Sequence, residues 1–92
     1  MNYTDPKTVL SPRGTVEELE VIYDGGENKW SLARMKWDNN PVMGMRWNGG
    51  SQNGIPSIGN PQSRGKPTWF VLPKEVGNLI ESNLKLLAKF SK

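Results

Sequence analysis

The sequence predicts a single small α+β domain, with four strands followed by one C-terminal helix. Ninety-two residues bury one modest core and rarely divide into two domains. Four short segments rich in β-branched and aromatic residues come first, and one long segment with helical periodicity comes last. Turn signals, of which Asp24-Gly25-Gly26 is the strongest, separate the strand segments.

The strand segments are 15–23, 30–37, 42–47 and 68–72. In the first, apolar and acidic side chains alternate, which predicts one buried and one solvated face. In the second, small and apolar residues at odd positions predict a buried face, whereas the even positions end in Arg34 and Lys36. The last segment is apolar almost throughout, which predicts a central or covered strand.

The helical segment covers residues 74–90 and carries an apolar arc wider than one contact with a sheet requires. Asn83 lies near the centre of this arc, where a buried amide needs a hydrogen-bond partner. Its own copy across a two-fold axis is one candidate partner, and a nearby loop is another. The first alternative predicts a dimer interface formed by Val76, Ile80, Asn83, Leu87 and Phe90.

Two segments lack periodicity. Residues 1–14 contain Pro6, Pro12 and Gly14, and we expect a flexible N-terminal arm, or an arm that lies on another surface, ahead of a domain at 15–92. Residues 48–67 are predicted to form a long loop, which is either functional or a spacer. Within it, Arg64 and Lys66 flank a glycine and are candidates for gripping phosphates.

Composition narrows the chemistry. The chain contains no cysteine and no histidine, which excludes disulfides, zinc fingers and Ser-His-Asp triads. We therefore expect no enzyme activity, no metal and no cofactor. No run of about 18 apolar residues and no secretory signal are visible, so we expect no membrane segment and a cytoplasmic location.

Positive charge is concentrated in the middle of the chain. Residues 1–27 contain two basic and six acidic side chains, whereas residues 28–74 contain seven basic side chains and one acidic. Trp30, Trp37 and Trp47 interleave with these cations. Cations that hold phosphates beside rings that stack on bases are typical of single-stranded nucleic-acid surfaces. The same pattern also fits tryptophans in a small core with lysine and arginine on the solvated face.

The segment 30–47, WSLARMKWDNNPVMGMRW, resembles the single-stranded-DNA-binding core of the PC4 (p15) transcriptional coactivator family. The shared features are a basic strand ending in tryptophan, a short turn with Asn and Pro, and a strand ending in Arg46-Trp47. A long loop, an apolar strand and a helix follow in the same order, so the resemblance extends from about Thr15 to Phe90.

This resemblance implies a curved antiparallel sheet and a homodimer formed through the helices. It also implies a role in binding single-stranded DNA, or RNA, during transcription, replication or repair. With Trp30 added from the charge and ring pattern, the predicted nucleic-acid-binding residues are Arg34, Lys36, Arg46, Trp47, Arg64, Lys66 and Trp30.

Two other functions remain open from the sequence. The aromatic face and the Gly/Pro-rich loop could instead bind a protein partner, as in a small interaction or inhibitor domain. A small enzyme or a metabolite-binding protein is the third candidate, and the absence of histidine and cysteine disfavours it.

Overall fold

A computed structural model describes residues 3–88 of the chain. The main sheet has four antiparallel strands, which lie side by side in chain order, and two short hairpins are inserted before its last strand. The main strands are β1 (Val16–Asp24), β2 (Trp30–Trp37), β3 (Asn40–Trp47) and β8 (Phe70–Leu72). The hairpins are β4 (Gly50–Gln52) with β5 (Ile55–Ser57), and β6 (Gln62–Ser63) with β7 (Lys66–Pro67). The predicted α+β class, with a four-stranded sheet and a C-terminal helix, is confirmed.

The connection between β2 and β3 is shorter than the predicted segments imply, because β3 begins at Asn40 and not at residue 42. Asp38 and Asn39 both have positive φ, 51° and 68°, and they form a two-residue loop. Asparagine and aspartate tolerate this conformation, and its twist matches that of the flanking strands. The loop fixes the register from Trp37 opposite Asn40 to Trp30 opposite Trp47.

Both faces of the sheet are covered at its centre, since Leu32 and Ala33 are adjacent in β2 and both are fully buried. One face carries a cluster formed by Val9, Val16, Ala33, Met35 and Trp69. The opposite face carries Leu32, Met43 and Leu72, against which Ile80 and Leu84 of the C-terminal helix pack. The core is therefore a sheet held between the helix and the N-terminal segment.

The N-terminal segment, residues 3–12, lies on the chain's own sheet. A short 3-10 helix at Pro6–Thr8 begins after Asp5, whose carboxylate accepts a hydrogen bond from the backbone N–H of Lys7. Val9 is 1% exposed, and its carbonyl oxygen accepts a hydrogen bond of 2.9 Å from Nε1 of Trp69. These contacts fix the segment, so a free arm is not what the structure shows for residues 3–12.

The predicted long loop at 48–67 contains the two short hairpins, and this part of the prediction is corrected. At the tip of the second hairpin, Arg64 and Gly65 have φ values of 52° and 78°. Two successive positive φ values form the tight turn that two-residue hairpins prefer. The sequence signal was missed because each strand of these hairpins has only two or three residues.

The C-terminal helix has two parts, α1 (Lys74–Ser82) and α2 (Leu84–Ala88), separated at Asn83. The Nδ2 group of Asn83 donates a hydrogen bond of 2.8 Å to the carbonyl oxygen of Leu79, as asparagine often does at helix ends. Gly77 is buried against Met43, where a Cβ atom would lie 3.0 Å from the Met43 Cβ atom, so glycine permits the close approach. Between residues 3 and 88, none of the helices is long and apolar enough to cross a membrane.

Candidate functional site

A groove lined by aromatic and aliphatic side chains opens on the helix-bearing face of the sheet, at the end that α1 does not cover. We call it the aromatic groove and define it by Trp30, Met45, Trp47, Phe70 and Leu72. Asn60, Pro61 and Arg46 complete its border, and its volume is about 280 Å³.

The strand register explains why these side chains share one surface. Trp30 of β2 lies opposite Trp47 of β3, and Met45 lies opposite Phe70 of β8. Directly opposed residues in antiparallel strands point to the same face, as do residues two apart in one strand. The ring of Tyr23 lies 4.6 Å from that of Trp30, tilted by 39°, and supports it from the neighbouring strand.

The two outer rings of the groove are unusually open to solvent. Trp47 is 57% exposed and Phe70 is 61% exposed. Large aromatic side chains are ordinarily buried for most of their area, so two such rings on one face indicate a binding surface.

A second pocket, polar in character, lies on the other side of Trp47. We call it the polar pocket; it is formed by Asn28, Ser57 and Asn60 with Gly49 and Gly59, and its volume is about 210 Å³. Trp47 and Asn60 border both the aromatic groove and the polar pocket. Glycine at 59 is required because its φ is +83° and a Cβ atom would lie 2.0 Å from the carbonyl oxygen of Trp47.

The backbone pairs Trp47 with Asn60. The N–H of Trp47 donates to the Asn60 carbonyl oxygen at 2.7 Å, and the N–H of Asn60 donates to the Trp47 carbonyl oxygen at 3.2 Å. This pair forms an isolated antiparallel bridge. The two side chains therefore project from one face of the bridge as neighbours.

Arg46 does not occupy the surface position predicted for it. It is 2% exposed, and its guanidinium donates to the carbonyl oxygens of Thr68, at 2.7 Å, and Ile58. Burial lowers the pKa of Arg46 to about 10, which leaves the group protonated at neutral pH. The expectation that Arg46 contacts nucleic acid is corrected because the side chain is buried and its two terminal NH2 groups donate to backbone acceptors that the ladder between β3 and β8 does not reach.

Arg34 and Lys36 lie on the surface of the sheet but are paired with acidic groups. Arg34 forms ion pairs with Glu81 of α1 and with Glu20 of β1, and Nζ of Lys36 lies 3.1 Å from a carboxylate oxygen of Glu18. Lys36 is also six residues beyond Trp30 along β2, which is about 20 Å. The structure does not bring these two cations to the aromatic groove.

Arg64 and Lys66 are exposed at the second hairpin, which begins two residues after Asn60. Among the ion pairs of residues 3–88, neither of them takes part. Lys29, whose carbonyl oxygen accepts a hydrogen bond from the N–H of Asn48, is likewise exposed and directly precedes Trp30. These three cations take part in none of the ion pairs of the described residues and lie close in sequence to residues of the groove.

Sequence reasoning missed Phe70, Asn60 and Lys29. The signal for Phe70 was present, because an alternating strand that buries Trp69 must turn Phe70 to the other face. Asn60 carried no such signal, since its position depends on the pairing of a loop residue with the end of β3.

The residues predicted to form a dimer interface differ in their exposure to solvent. Val76 is exposed, whereas Ile80 is half-buried against the chain's own sheet. Asn83 is exposed and finds its partner within its own helix. Phe90 and the side chain of Leu87 lie outside the described part of the chain. Leu79 and Leu86, which were not predicted, are 66% and 51% exposed.

No protein-family model, curated protein or solved structure matches this chain. Within residues 3–88, no group of three or more acidic, histidine or cysteine side chains forms a cluster that could hold a metal ion.

Proposed function

We propose that this protein binds single-stranded nucleic acid, and that unpaired bases stack on Trp47 and Phe70 in the aromatic groove. The observation that carries the proposal is the exposure of these two rings, at 57% and 61%, on one face of the sheet. Stacking on exposed rings accepts any base, because every base presents a flat aromatic face.

Exposed basic side chains supply the phosphate contacts that such a surface also needs. Lys29, Arg64 and Lys66 are unpaired among the described residues and lie in the segment where basic side chains outnumber acidic ones seven to one. Arg64 follows Asn60 by four residues, about 13 Å along the hairpin, a distance that a few nucleotides of backbone cover. Phosphate contacts of this kind release counterions and make binding weaken with salt.

Fluorescence anisotropy with a labelled single-stranded oligonucleotide tests this function. At about 50 mM salt we expect measurable affinity that falls steeply as salt rises. Trp47→Ala and Phe70→Ala should each weaken binding about tenfold without changing the salt slope, because stacking involves no counterion. Ile55→Ala is the matched control, since Ile55 is an apolar side chain that is 70% exposed outside the groove.

The absence of affinity for every unpaired oligonucleotide at this salt concentration would eliminate the proposal. So would equal losses in Trp47→Ala and Ile55→Ala, since a general effect of exposed apolar surface would then explain the binding.

A second candidate function is the binding of a protein partner that inserts apolar side chains into the groove. It is favoured by the groove's almost wholly apolar lining and by the pairing of Arg34 and Lys36 with carboxylates. Capture of one stoichiometric partner that survives nuclease treatment, with a Kd insensitive to salt, would support it over nucleic-acid binding.

We also propose that two copies associate through the C-terminal helix. Val76, Leu79 and Leu86 are large apolar side chains of α1 and α2 that are 41%, 66% and 51% exposed. Sedimentation equilibrium should show a dimer, and Leu79→Glu should convert it to a monomer by placing a charge in the apolar contact. A monomer in the unsubstituted protein would eliminate this part of the proposal.

A further inference from the structure

We propose that Asn60 reads the edge of the base that stacks on Trp47, so that the protein prefers adenine at this position. This inference rests on the proposed function and adds a sequence preference to it. A surface built only from rings and cations would bind all single strands with similar affinity.

The geometry places an amide at the rim of an aromatic platform. Two backbone hydrogen bonds, of 2.7 Å and 3.2 Å, hold Asn60 directly opposite Trp47. Opposed side chains in such a pair lie about 4.5–5.5 Å apart at their Cβ atoms. A base lying on the indole ring would therefore meet the Asn60 amide with its edge, and the backbone of that amide is already fixed.

The amide of Asn60 is available for a ligand. Asn60 is exposed, and its side chain makes no hydrogen bond to any residue between 3 and 88. Asn48 provides the contrast, because it is buried and its amide bonds to Ser31, Asp24 and Gly26. The amide of Asn48 thus has a structural role. The described contacts give no such role to the amide of Asn60.

A carboxamide presents one donor and one acceptor side by side, which is the complement of an amino group next to a ring nitrogen. Adenine offers this combination on its outer edge, through N6 with N7, and that edge is open in a single strand. On the same edge guanine presents two acceptors, O6 and N7, thymine presents an acceptor beside its methyl group, and cytosine presents a donor with no acceptor beside it. Asn60 facing the outer edge of the stacked base therefore selects adenine.

Binding of oligodeoxyadenosine and oligothymidine of equal length, measured by fluorescence anisotropy, tests the inference. We expect the unsubstituted protein to bind the adenine strand about tenfold more tightly. Asn60→Ala should reduce this ratio to the part that purine stacking supplies, while its affinity for oligothymidine changes little. Asn78→Ala is the control, since Asn78 is an exposed asparagine on α1, outside both the groove and the polar pocket.

A strand of unsubstituted purine, which lacks the 6-amino group, separates edge reading from stacking. The unsubstituted protein should bind it more weakly than the adenine strand, and Asn60→Ala should bind the two alike. Asn60→Asp keeps the acceptor for the 6-amino group but removes the donor to the ring nitrogen, so it should weaken binding of both strands and still prefer adenine over purine. Thermal unfolding of each variant confirms that the fold is retained.

The two proposals fail in different ways. If the protein binds all strands and Asn60→Ala keeps the full preference, or if no preference exists, the inference about Asn60 is overturned while single-strand binding stands. If no strand binds, both proposals are overturned.

Discussion

The guanidinium of Arg46 donates a hydrogen bond of 2.7 Å to the carbonyl oxygen of Thr68, across the gap where β3 and the segment leading into β8 diverge. The same group donates to the carbonyl oxygen of Ile58. One side chain thereby ties the end of β3 to both sides of the hairpin that carries Arg64 and Lys66. Arg46 thereby fixes the border of the aromatic groove, and its guanidinium is not free at the surface.

Removal of this side chain should destabilise the fold. Arg46→Ala leaves the carbonyl oxygens of Thr68, which is buried, and Ile58, which is partly buried, without these donors, and the cost should be on the order of 3 kcal/mol in the free energy of unfolding. Urea denaturation measures this change. Arg13→Ala removes the same charge from an exposed position and should change stability by less than about 0.5 kcal/mol. Equal effects of the two substitutions would contradict the structural role of Arg46.

The order of the main elements could be predicted because local signals agree with the final structure there. The alternation in 30–37 and the asparagine-rich turn at 38–39 specify β2, β3 and their register without help from distant residues. Trp30 lies opposite Trp47 for the same reason, since a two-residue turn fixes which residues lie opposite each other.

The parts that could not be predicted depend on contacts between distant segments. Whether Arg46 is buried is decided by carbonyl groups 12 and 22 residues away. The position of Val9 depends on a hydrogen bond that its carbonyl oxygen accepts from the indole of Trp69, 60 residues later in the chain. From the sequence alone, a charged residue such as Arg46 is expected at the surface, and a terminal segment without periodicity is expected to be flexible. Charge and periodicity are local properties, so they do not show which distant residues will be in contact.

The packing of the N-terminal segment gives a second prediction. Val9→Ala should lower the free energy of unfolding by about 2 kcal/mol, because Val9 is 1% exposed and lies in the cluster with Trp69. Leu10→Ala removes more carbon from the adjacent residue, which is 50% exposed, and should cost less than half as much. Chemical denaturation compares the two. A larger loss in the free energy of unfolding for Leu10→Ala than for Val9→Ala would contradict the buried position of Val9.

The backbone beside Trp47 gives a third prediction. Gly59→Ala should unfold the protein or cost more than about 3 kcal/mol, because its Cβ atom would lie 2.0 Å from the Trp47 carbonyl oxygen at a φ of +83°. Gly65 has a similar φ, +78°, but no heavy atom within 4 Å of the corresponding Cβ position. Gly65→Ala should therefore cost only the conformational strain, about 1 kcal/mol. Thermal unfolding of both variants separates crowding from strain, and similar losses would argue against the close contact at Gly59.

The last prediction concerns which cations contribute to nucleic-acid affinity. Arg64→Ala and Lys66→Ala should each weaken binding and reduce the slope of log affinity against log salt by about 0.7, the value for one phosphate contact in a single strand. Lys36→Ala removes the same charge, but Lys36 is paired with Glu18 and lies about 20 Å along β2 from Trp30.

That distance exceeds the screening length of about 8–10 Å at physiological salt, so Lys36→Ala should leave both the affinity and the slope nearly unchanged. Anisotropy titrations at several salt concentrations measure all three variants against one oligonucleotide. A loss of slope in Lys36→Ala equal to that in Lys66→Ala would place the bound strand along the paired cations of β2 and away from the aromatic groove. The contrast between the two lysines therefore locates the path of the strand on the sheet.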